Sequence, residues 1–314
     1  MKLAKVRGYG HMGFQAYPLF FIGNILNLEL KDDEFPILDL SNLESCYHNN
    51  TKDNMFTYYF DQPEIIEEDI VKTSSNFYFP NAFIYAEERI KYHNAFKKYL
   101  KIKPHILEKA ENFKKQHFDG HKILGLHVRG ISTNDRPKLP FDYYKHKLDL
   151  YLEKEGYDKI FLCVEHQHTL DKFIKIYGDK LILYPSYKFS HRGHQEFNLP
   201  FPKENNEGYI KGEDVLIESI LLSYTDFLLK TVSNVSTFPL VYNIDLKYCN
   251  IDFHFWDSNN YTYFVNDQTF KYDCKYETRK DIEHYINQKD ELEAKTASLI
   301  HEWQKSNEIL KEYL

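Results

Sequence analysis

His127 and Arg129 lie at the end of a short, mostly apolar run, residues 123–128. A run of this kind predicts a strand that is covered on both faces, where charged side chains are normally excluded. A guanidinium is always charged, and its fork of donors matches a phosphate or a carboxylate. Arg129 at the carboxyl end of a parallel strand is therefore well placed to bind an anion, and Gly130 would let that anion approach the backbone. A structural arginine paired with an acidic neighbour is the alternative that this segment leaves open.

Small hydroxyl and amide side chains follow a later apolar run, residues 226–231, which we predict to be a strand. Ser233 and Asn234 stand where the next helix should begin, and such side chains are good helix caps. The same position can bind a phosphate, because the first N–H groups of a helix lack intrahelical partners and lie at the positive end of its dipole. Capping and phosphate binding both stay open. Residues 213–223 predict an amphipathic helix whose acidic start suits the dipole.

A glycine-rich segment, residues 8–15, joins a predicted first strand to a predicted apolar helix that extends to Leu26. Its glycines include Gly10 and Gly13, and they allow the backbone to approach a ligand closely at a helix start. The spacing G-x-G-x-x-G also occurs in turns that only make room for packing. Nucleotide binding and packing are therefore both open for this loop.

Predicted strands and helices alternate along most of the chain. The strands include 35–40, 159–164 and 181–184, and the helices include 86–116 with a break at Pro104, 142–155 and 169–177. This alternation predicts a parallel α/β sheet. Ligands of such sheets bind at the carboxyl ends of the strands, where Arg129 and Glu165 would lie. Residues 55–61 are predicted to be extended, and the acidic residues 64–69 to form a solvated helix.

Composition excludes several classes of function. A chain of 314 residues is long enough for two domains. Its net charge of −7 argues against a general binder of nucleic acid or of membrane surfaces, which would carry excess Lys and Arg. The longest apolar run, residues 17–26, is too short to span a membrane and lacks the flanks of a signal peptide.

The cysteines do not form a metal-binding pattern. Cys46, Cys163, Cys249 and Cys274 show no C-x-x-C spacing, which favours neither a zinc site nor a disulfide framework. We therefore expect a protein of the reducing cytoplasm without a bound metal.

Residues 124–130 and 213–237, taken together, resemble the two signature regions of the fucosyltransferase superfamily. Its members include nodulation-factor and alpha-1,6-fucosyltransferases, alpha-1,2-fucosyltransferases and protein O-fucosyltransferases. Their fold is α/β, with two Rossmann-like domains in a GT-B arrangement. They transfer fucose from GDP-fucose with inversion of the anomeric centre and generally need no metal. The resemblance implies the same fold, donor and chemistry for this chain.

The resemblance also implies roles for individual residues. Arg129 matches the arginine of the family's H-[VI]-R motif, which would hold the GDP diphosphate and stabilise it as the leaving group. Glu218 would contact the guanine or the ribose of the donor. The other implied donor contacts are Thr231, Ser233 and Asn234 in the later motif, Glu165 at a strand end, and Gly10 and Gly13 in the N-terminal loop.

Two positions depart from the family pattern. Ser132 stands where many members have an aspartate, and Gly130 stands where the alpha-1,6 enzymes have a second arginine. An inverting transfer needs a carboxylate or a histidine that takes the proton of the acceptor hydroxyl within hydrogen-bond reach. Asp135 is the nearest carboxylate to the motif, with His127 and Asp142 as alternatives.

The predicted organisation has three parts: an N-terminal, acceptor-side Rossmann-like domain (1–118), a C-terminal nucleotide-sugar-binding domain (119–275) and a long C-terminal helical segment (276–314). The helical segment carries an apolar stripe. That stripe could pack across the first domain or join two copies of the chain into a homo-oligomer.

The sequence therefore predicts an inverting, metal-independent glycosyltransferase that uses a GDP-sugar as donor substrate and no cofactor. It would transfer fucose to a glycan hydroxyl in surface polysaccharide or lipopolysaccharide synthesis, with peripheral membrane association as a further expectation. The absence of a D-x-D at a predicted strand end argues against the GT-A class, which usually carries one for a divalent ion. A GT-B transferase with another nucleotide sugar and a non-catalytic nucleotide- or glycan-binding protein are the two alternatives.

Overall fold

The computed structural model describes residues 2–8, 14–43, 45–49, 52–74, 86–129, 141–186, 207–231 and 233–251. Its elements are β1 (Lys2–Arg7), α1 (Ala16–Asn27), β2 (Glu34–Asp39), β3 (Phe60–Asp61), β4 (Ile70–Ser74), α2 (Ala86–Tyr99), β5 (Lys101–Ile102), α3 (Pro104–His117), β6 (Ile123–Val128), α4 (Phe141–Glu155), β7 (Lys159–Val164), α5 (Gln167–Tyr177), β8 (Leu181–Ile182), α6 (Glu207–Ser223), β9 (Phe227–Lys230), α7 (Asn234–Tyr242) and β10 (Tyr248–Asn250). The predicted C-terminal helical segment lies outside the described residues.

The first sheet is parallel and has the strand order β2-β1-β4. Helix α1 is apolar around almost its whole circumference, so it is buried along nearly its full length. The predicted first two strands and the first helix are confirmed. The predicted solvated helix over 64–69 is wrong, because a short 3-10 turn, Glu67–Asp69, leads directly into strand β4. That strand is at the sheet edge and largely exposed, so its sequence lacks the apolar run of a central strand.

The segment predicted to be extended over 55–61 is mainly a turn. A 3-10 helix occupies Met55–Tyr58, and the Asn54 side chain caps it by accepting from the Phe56 N–H. The short strand β3 follows and pairs antiparallel with β5. The aromatic residues of this segment indicated burial, whereas the capping asparagine before them determines the backbone.

The second sheet is also parallel, with the order β10-β9-β6-β7-β8. The predicted parallel α/β sheet is therefore confirmed. One face packs on α4 and α5 through residues such as Leu126, Leu148 and Phe173. The other face contributes to a core cluster that includes Leu38 of the first sheet and Phe161 of the second. The division into two domains at residue 118 stays a prediction.

Helix α6 connects the second sheet to the N-terminal region. A Cβ atom at Gly212 would overlap the Tyr59 hydroxyl, so glycine is needed for this close approach. Gln15 at the start of α1 donates from Nε2 to Val215 O and to Ser219 Oγ, both at 2.8 Å. Buried amide hydrogen bonds of this kind fix the position of one element against another.

Helix α6 begins at Glu207, so the prediction that it has an acidic start at residue 213 is wrong. Glu213 lies within the helix and is buried. Among the described helices, none combines the length and the hydropathy that crossing a bilayer requires.

Candidate functional site

Three predicted site residues follow three neighbouring strands of the second sheet. Strand β6 pairs with β7 on one side and with β9 on the other. Arg129, Glu165 and Thr231 come directly after these strands. Because the strands are parallel, the three residues lie at the same edge, where α/β proteins bind ligands. Arg129 is half-buried, so its charged group is at the edge of the sheet rather than within its core.

His127, a predicted alternative for the catalytic base, lies within strand β6. It is 2% exposed, and its Nδ1 lies 3.1 Å from Thr231 Oγ1, which joins the ends of β6 and β9. Burial lowers the pKa of the imidazole to about 3, with smaller contributions from the charges of Arg129 and Lys230. A general base acts best with a pKa near the operating pH. His127 is therefore a poor candidate for the base and a good one for orienting the end of β6.

The start of helix α7 lies next to Thr231. Ser233 is at the N-cap, and among the described contacts its side chain makes no capping hydrogen bond. Ser236 Oγ donates instead to Thr231 O at 2.6 Å, and Thr237 Oγ1 donates to Ser233 O at 2.9 Å. The hydroxyls of the first turn thus tie the start of α7 to the end of β9, and Ser233 and Asn234 lie at the same edge as Arg129. This geometry suits an anion.

Glu218 lies on α6 against the second sheet and is 6% exposed. Its Oε1 accepts from the Ser186 hydroxyl at 2.6 Å, and its Oε2 accepts from the Cys163 thiol at 3.4 Å. Cys163 is on β7, and Ser186 follows β8. The carboxylate is therefore held from two directions.

Glu165 faces the segment that follows β2 in the first sheet. Burial raises the pKa of the Cys46 thiol to about 11; Lys211 opposes this rise, and Glu165 adds a smaller increase. Burial also raises the pKa of Tyr47, and the charges of Cys46 and Glu165 add to that rise. Charge effects of this kind require proximity. Glu165, directly after β7, is thus near Cys46 and Tyr47 in the segment that follows β2.

Sequence reasoning missed Lys230 and Asn250. Lys230 has an exposure of 0%, and its Nζ donates to Asn250 Oδ1 at 2.8 Å. It precedes Thr231 and contributes to the positive potential at His127. A lysine that ends an apolar strand carries the same signal that drew attention to Arg129, so the pattern could have indicated it.

Three predicted site residues, Asp135, Gly10 and Gly13, lie outside the described residues. Within the described part of the chain, no group of three or more His, Cys, Asp or Glu side chains could hold a metal ion. The metal-independent chemistry stays a prediction.

Neither a family model nor a curated protein matches the sequence. Among solved structures, the selenomethionine form of fucosyltransferase NodZ from Bradyrhizobium is similar, with a TM-score of 0.50 at 15% identity over 80% of this chain and 95% of that one. This chain has a fucosyltransferase-like fold. NodZ alpha-1,6-fucosyltransferase soaked with GDP-fucose gives a TM-score of 0.49 at 16% identity over 77% and 92% of the two chains. FUT1 of Arabidopsis thaliana, a mutant in complex with GDP, gives 0.47 at 12% identity over 79% and 69%.

Proposed function

We propose that the protein is an inverting, metal-independent glycosyltransferase of the GT-B arrangement that transfers fucose from GDP-fucose to a glycan hydroxyl. The convergence of Arg129, Thr231 and the start of α7 at one edge of the second sheet carries this proposal. The fucosyltransferase-like fold and the two motifs that resemble the family support it further.

The chemistry follows from charge. Cleavage of the bond between fucose and GDP leaves negative charge on the diphosphate. A fixed guanidinium and a helix start both stabilise such charge, and they do so best in a partly buried site. Arg129 would bind the diphosphate, Ser233 and Asn234 would contact its oxygens, and Glu218 would contact the nucleoside. Asp135 would take the proton of the acceptor hydroxyl.

The first experiment is calorimetric titration of GDP, UDP, CDP and ADP into the wild type, Arg129→Ala and Lys122→Ala, with EDTA present. Lys122 is the matched control. It directly precedes β6 and donates to Glu155 O, so its substitution removes a positive charge from the opposite end of the strand that Arg129 follows. We expect selective GDP binding by the wild type and by Lys122→Ala, and a loss of about 30-fold or more in Arg129→Ala, as for a charge-assisted bidentate contact.

The other outcomes separate the alternatives. Preference for another nucleotide would favour a GT-B transferase that uses a different nucleotide sugar and would contradict the assignment of GDP-fucose as the donor. Wild-type binding of no nucleotide would overturn the proposal. A thermal unfolding scan of Arg129→Ala tests the structural alternative, in which the variant loses stability instead of affinity. Selective GDP binding without turnover of GDP-fucose on any glycan would favour the non-catalytic protein, an alternative prompted by Ser132.

The setting that we propose is the synthesis of a surface polysaccharide or lipopolysaccharide in the cytoplasm, with peripheral membrane association and a homo-oligomer formed through residues 276–314. Incubation with GDP-fucose and purified polysaccharide fragments, followed by mass analysis, tests the acceptor. Light scattering of the full chain and of a chain that ends at residue 275 tests the oligomer.

A further inference from the structure

Among the described contacts of Glu218 are two donors that no motif points to, the hydroxyl of Ser186 and the thiol of Cys163. We infer that Cys163 and Ser186 are positioning residues that orient the Glu218 carboxylate for recognition of the donor's guanine. This inference rests on the proposed function, because it assumes a GDP donor and a nucleoside contact at Glu218.

The three side chains come from three separate elements. Cys163 is buried on β7, Ser186 follows β8, and Glu218 is on α6. Each donor engages a different oxygen of the carboxylate. A glutamate side chain has several rotatable bonds, so an unrestrained carboxylate would lose conformational entropy when it binds a ligand. Two donors on two oxygens fix the plane of the carboxylate before the ligand arrives, which lowers the cost of binding.

A fixed carboxylate is complementary to guanine in particular. The Watson–Crick edge of guanine presents two adjacent donors, the ring N1–H and the exocyclic amino group, at a spacing that matches two carboxylate oxygens. Adenine presents a ring-nitrogen acceptor at the corresponding place, which a carboxylate repels. Each ionised carboxylate oxygen accepts about two hydrogen bonds, so one donor from the protein and one from the base can share it. Hypoxanthine keeps the ring N–H and lacks the amino group, so it should bind with intermediate affinity.

The experiment compares the affinities of GDP, IDP and ADP for the wild type, Cys163→Ala, Ser186→Ala and Cys163→Ser. Loss of one donor that orients the Glu218 carboxylate should weaken GDP binding about fivefold in each alanine variant and should weaken ADP binding less. The ratio of GDP to ADP affinity should therefore fall. Cys163→Ser restores a donor and should recover part of that ratio. The affinity for inorganic pyrophosphate, which lacks the base, should stay unchanged in all variants.

Cys249→Ala is the matched control, because Cys249 is on β10 at the far edge of the second sheet. It should change neither affinity nor selectivity for nucleotides. Thermal unfolding of every variant shows whether it is folded at the temperature of the titration.

Three results would overturn the inference. If both alanine variants lower stability but keep the ratio of GDP to ADP affinity, Cys163 and Ser186 serve only the packing of α6, and the proposed function still stands. If GDP affinity does not change in either variant, the positioning role is also wrong while the donor assignment stands. If the wild type binds no nucleotide, the proposed function fails and the inference fails with it.

Discussion

Helix α6 carries two buried carboxylates, Glu213 and Glu218, that are equally hidden from solvent but have different partners. Their exposures are 5% and 6%. Glu213 accepts from the ammonium of Lys109 and from the hydroxyl of Tyr209, both at 2.6 Å, and His105 lies 3.6 Å away. Glu218 accepts from a hydroxyl and a thiol. Burial alone therefore does not separate a structural carboxylate from a candidate ligand contact.

The described donors to the two carboxylates differ in kind. The ammonium of Lys109 compensates the charge of Glu213 and ties α6 to α3, whereas the hydroxyl of Ser186 and the thiol of Cys163 orient the Glu218 carboxylate. Burial raises the pKa of the Tyr209 hydroxyl, and the hydrogen bond that this hydroxyl donates to Glu213 raises it further. Glu213 therefore anchors α6 to α3, whereas Glu218 would serve the proposed donor site.

The strongest test of this comparison is the pair Glu218→Gln and Glu213→Gln, which keeps the shape of each side chain. An amide at position 218 would present a donor to the donors of guanine, so we expect GDP affinity to fall about 30-fold, which corresponds to about 2 kcal/mol. Glu213→Gln should change GDP affinity less than about threefold, because Glu213 takes part in anchoring. Calorimetric titration of both variants checks the prediction. Equal losses of GDP affinity in the two variants would contradict the distinction between an anchoring Glu213 and a donor-binding Glu218.

A second prediction concerns pH, and it contrasts Glu213, whose partners His105 and Lys109 are half-exposed, with His127 in the interior of the second sheet. The pKa of His127 is lowered to about 3, so its native imidazole stays neutral at pH 5, whereas the unfolded chain takes up a proton below its ordinary pKa of 6.5. The contribution of His127 to the free energy of unfolding is complete above pH 6.5, and it is lost as the pH falls toward 3. Between pH 7 and pH 5 the free energy of unfolding should fall by about 2 kcal/mol through His127 alone.

Urea unfolding of the wild type and of His127→Gln at both pH values measures this contribution, because glutamine keeps a polar partner for Thr231 and does not titrate. The wild type should lose about 2 kcal/mol more than the variant. Equal losses in the two proteins would mean that the native imidazole titrates in its usual range.

Much of the fold followed from local patterns. The central strands β6, β7 and β9 are apolar runs because both faces of the sheet are covered, and each was predicted within two residues of its bounds. The edge strands β4 and β10 were missed. Strand β4 is largely exposed, and β10 has only three residues, so neither carries the apolar run that identifies a central strand.

The site was predictable only where strand ends determine it. Because β7, β6 and β9 are parallel neighbours, their carboxyl ends share one edge of the sheet. That edge holds His127, Arg129, Glu165 and Thr231. The partners of Glu218 were not predictable, because Cys163 and Ser186 are distant from it in the chain and only tertiary packing joins them. Lys230 lies within the apolar run that predicts β9, and its burial and its contact with Asn250 of β10 come from tertiary packing.

The smallest expected effect concerns the anchoring end of α6. Lys109 is 50% exposed, so its ion pair with Glu213 is screened by water, and we expect a coupling free energy of only about 0.5–1 kcal/mol. A double-mutant cycle with Glu213→Gln and Lys109→Met, measured by urea unfolding, isolates this coupling from the loss of the Tyr209 hydrogen bond. High salt should reduce it, because screening acts on exposed charges. A coupling near zero at low salt would leave Tyr209 as the main anchor of Glu213, and Tyr209→Phe should then cost more stability than Lys109→Met. In either case GDP affinity should stay close to the wild-type value, since this end of the helix holds α6 in place and the other end would contact the donor.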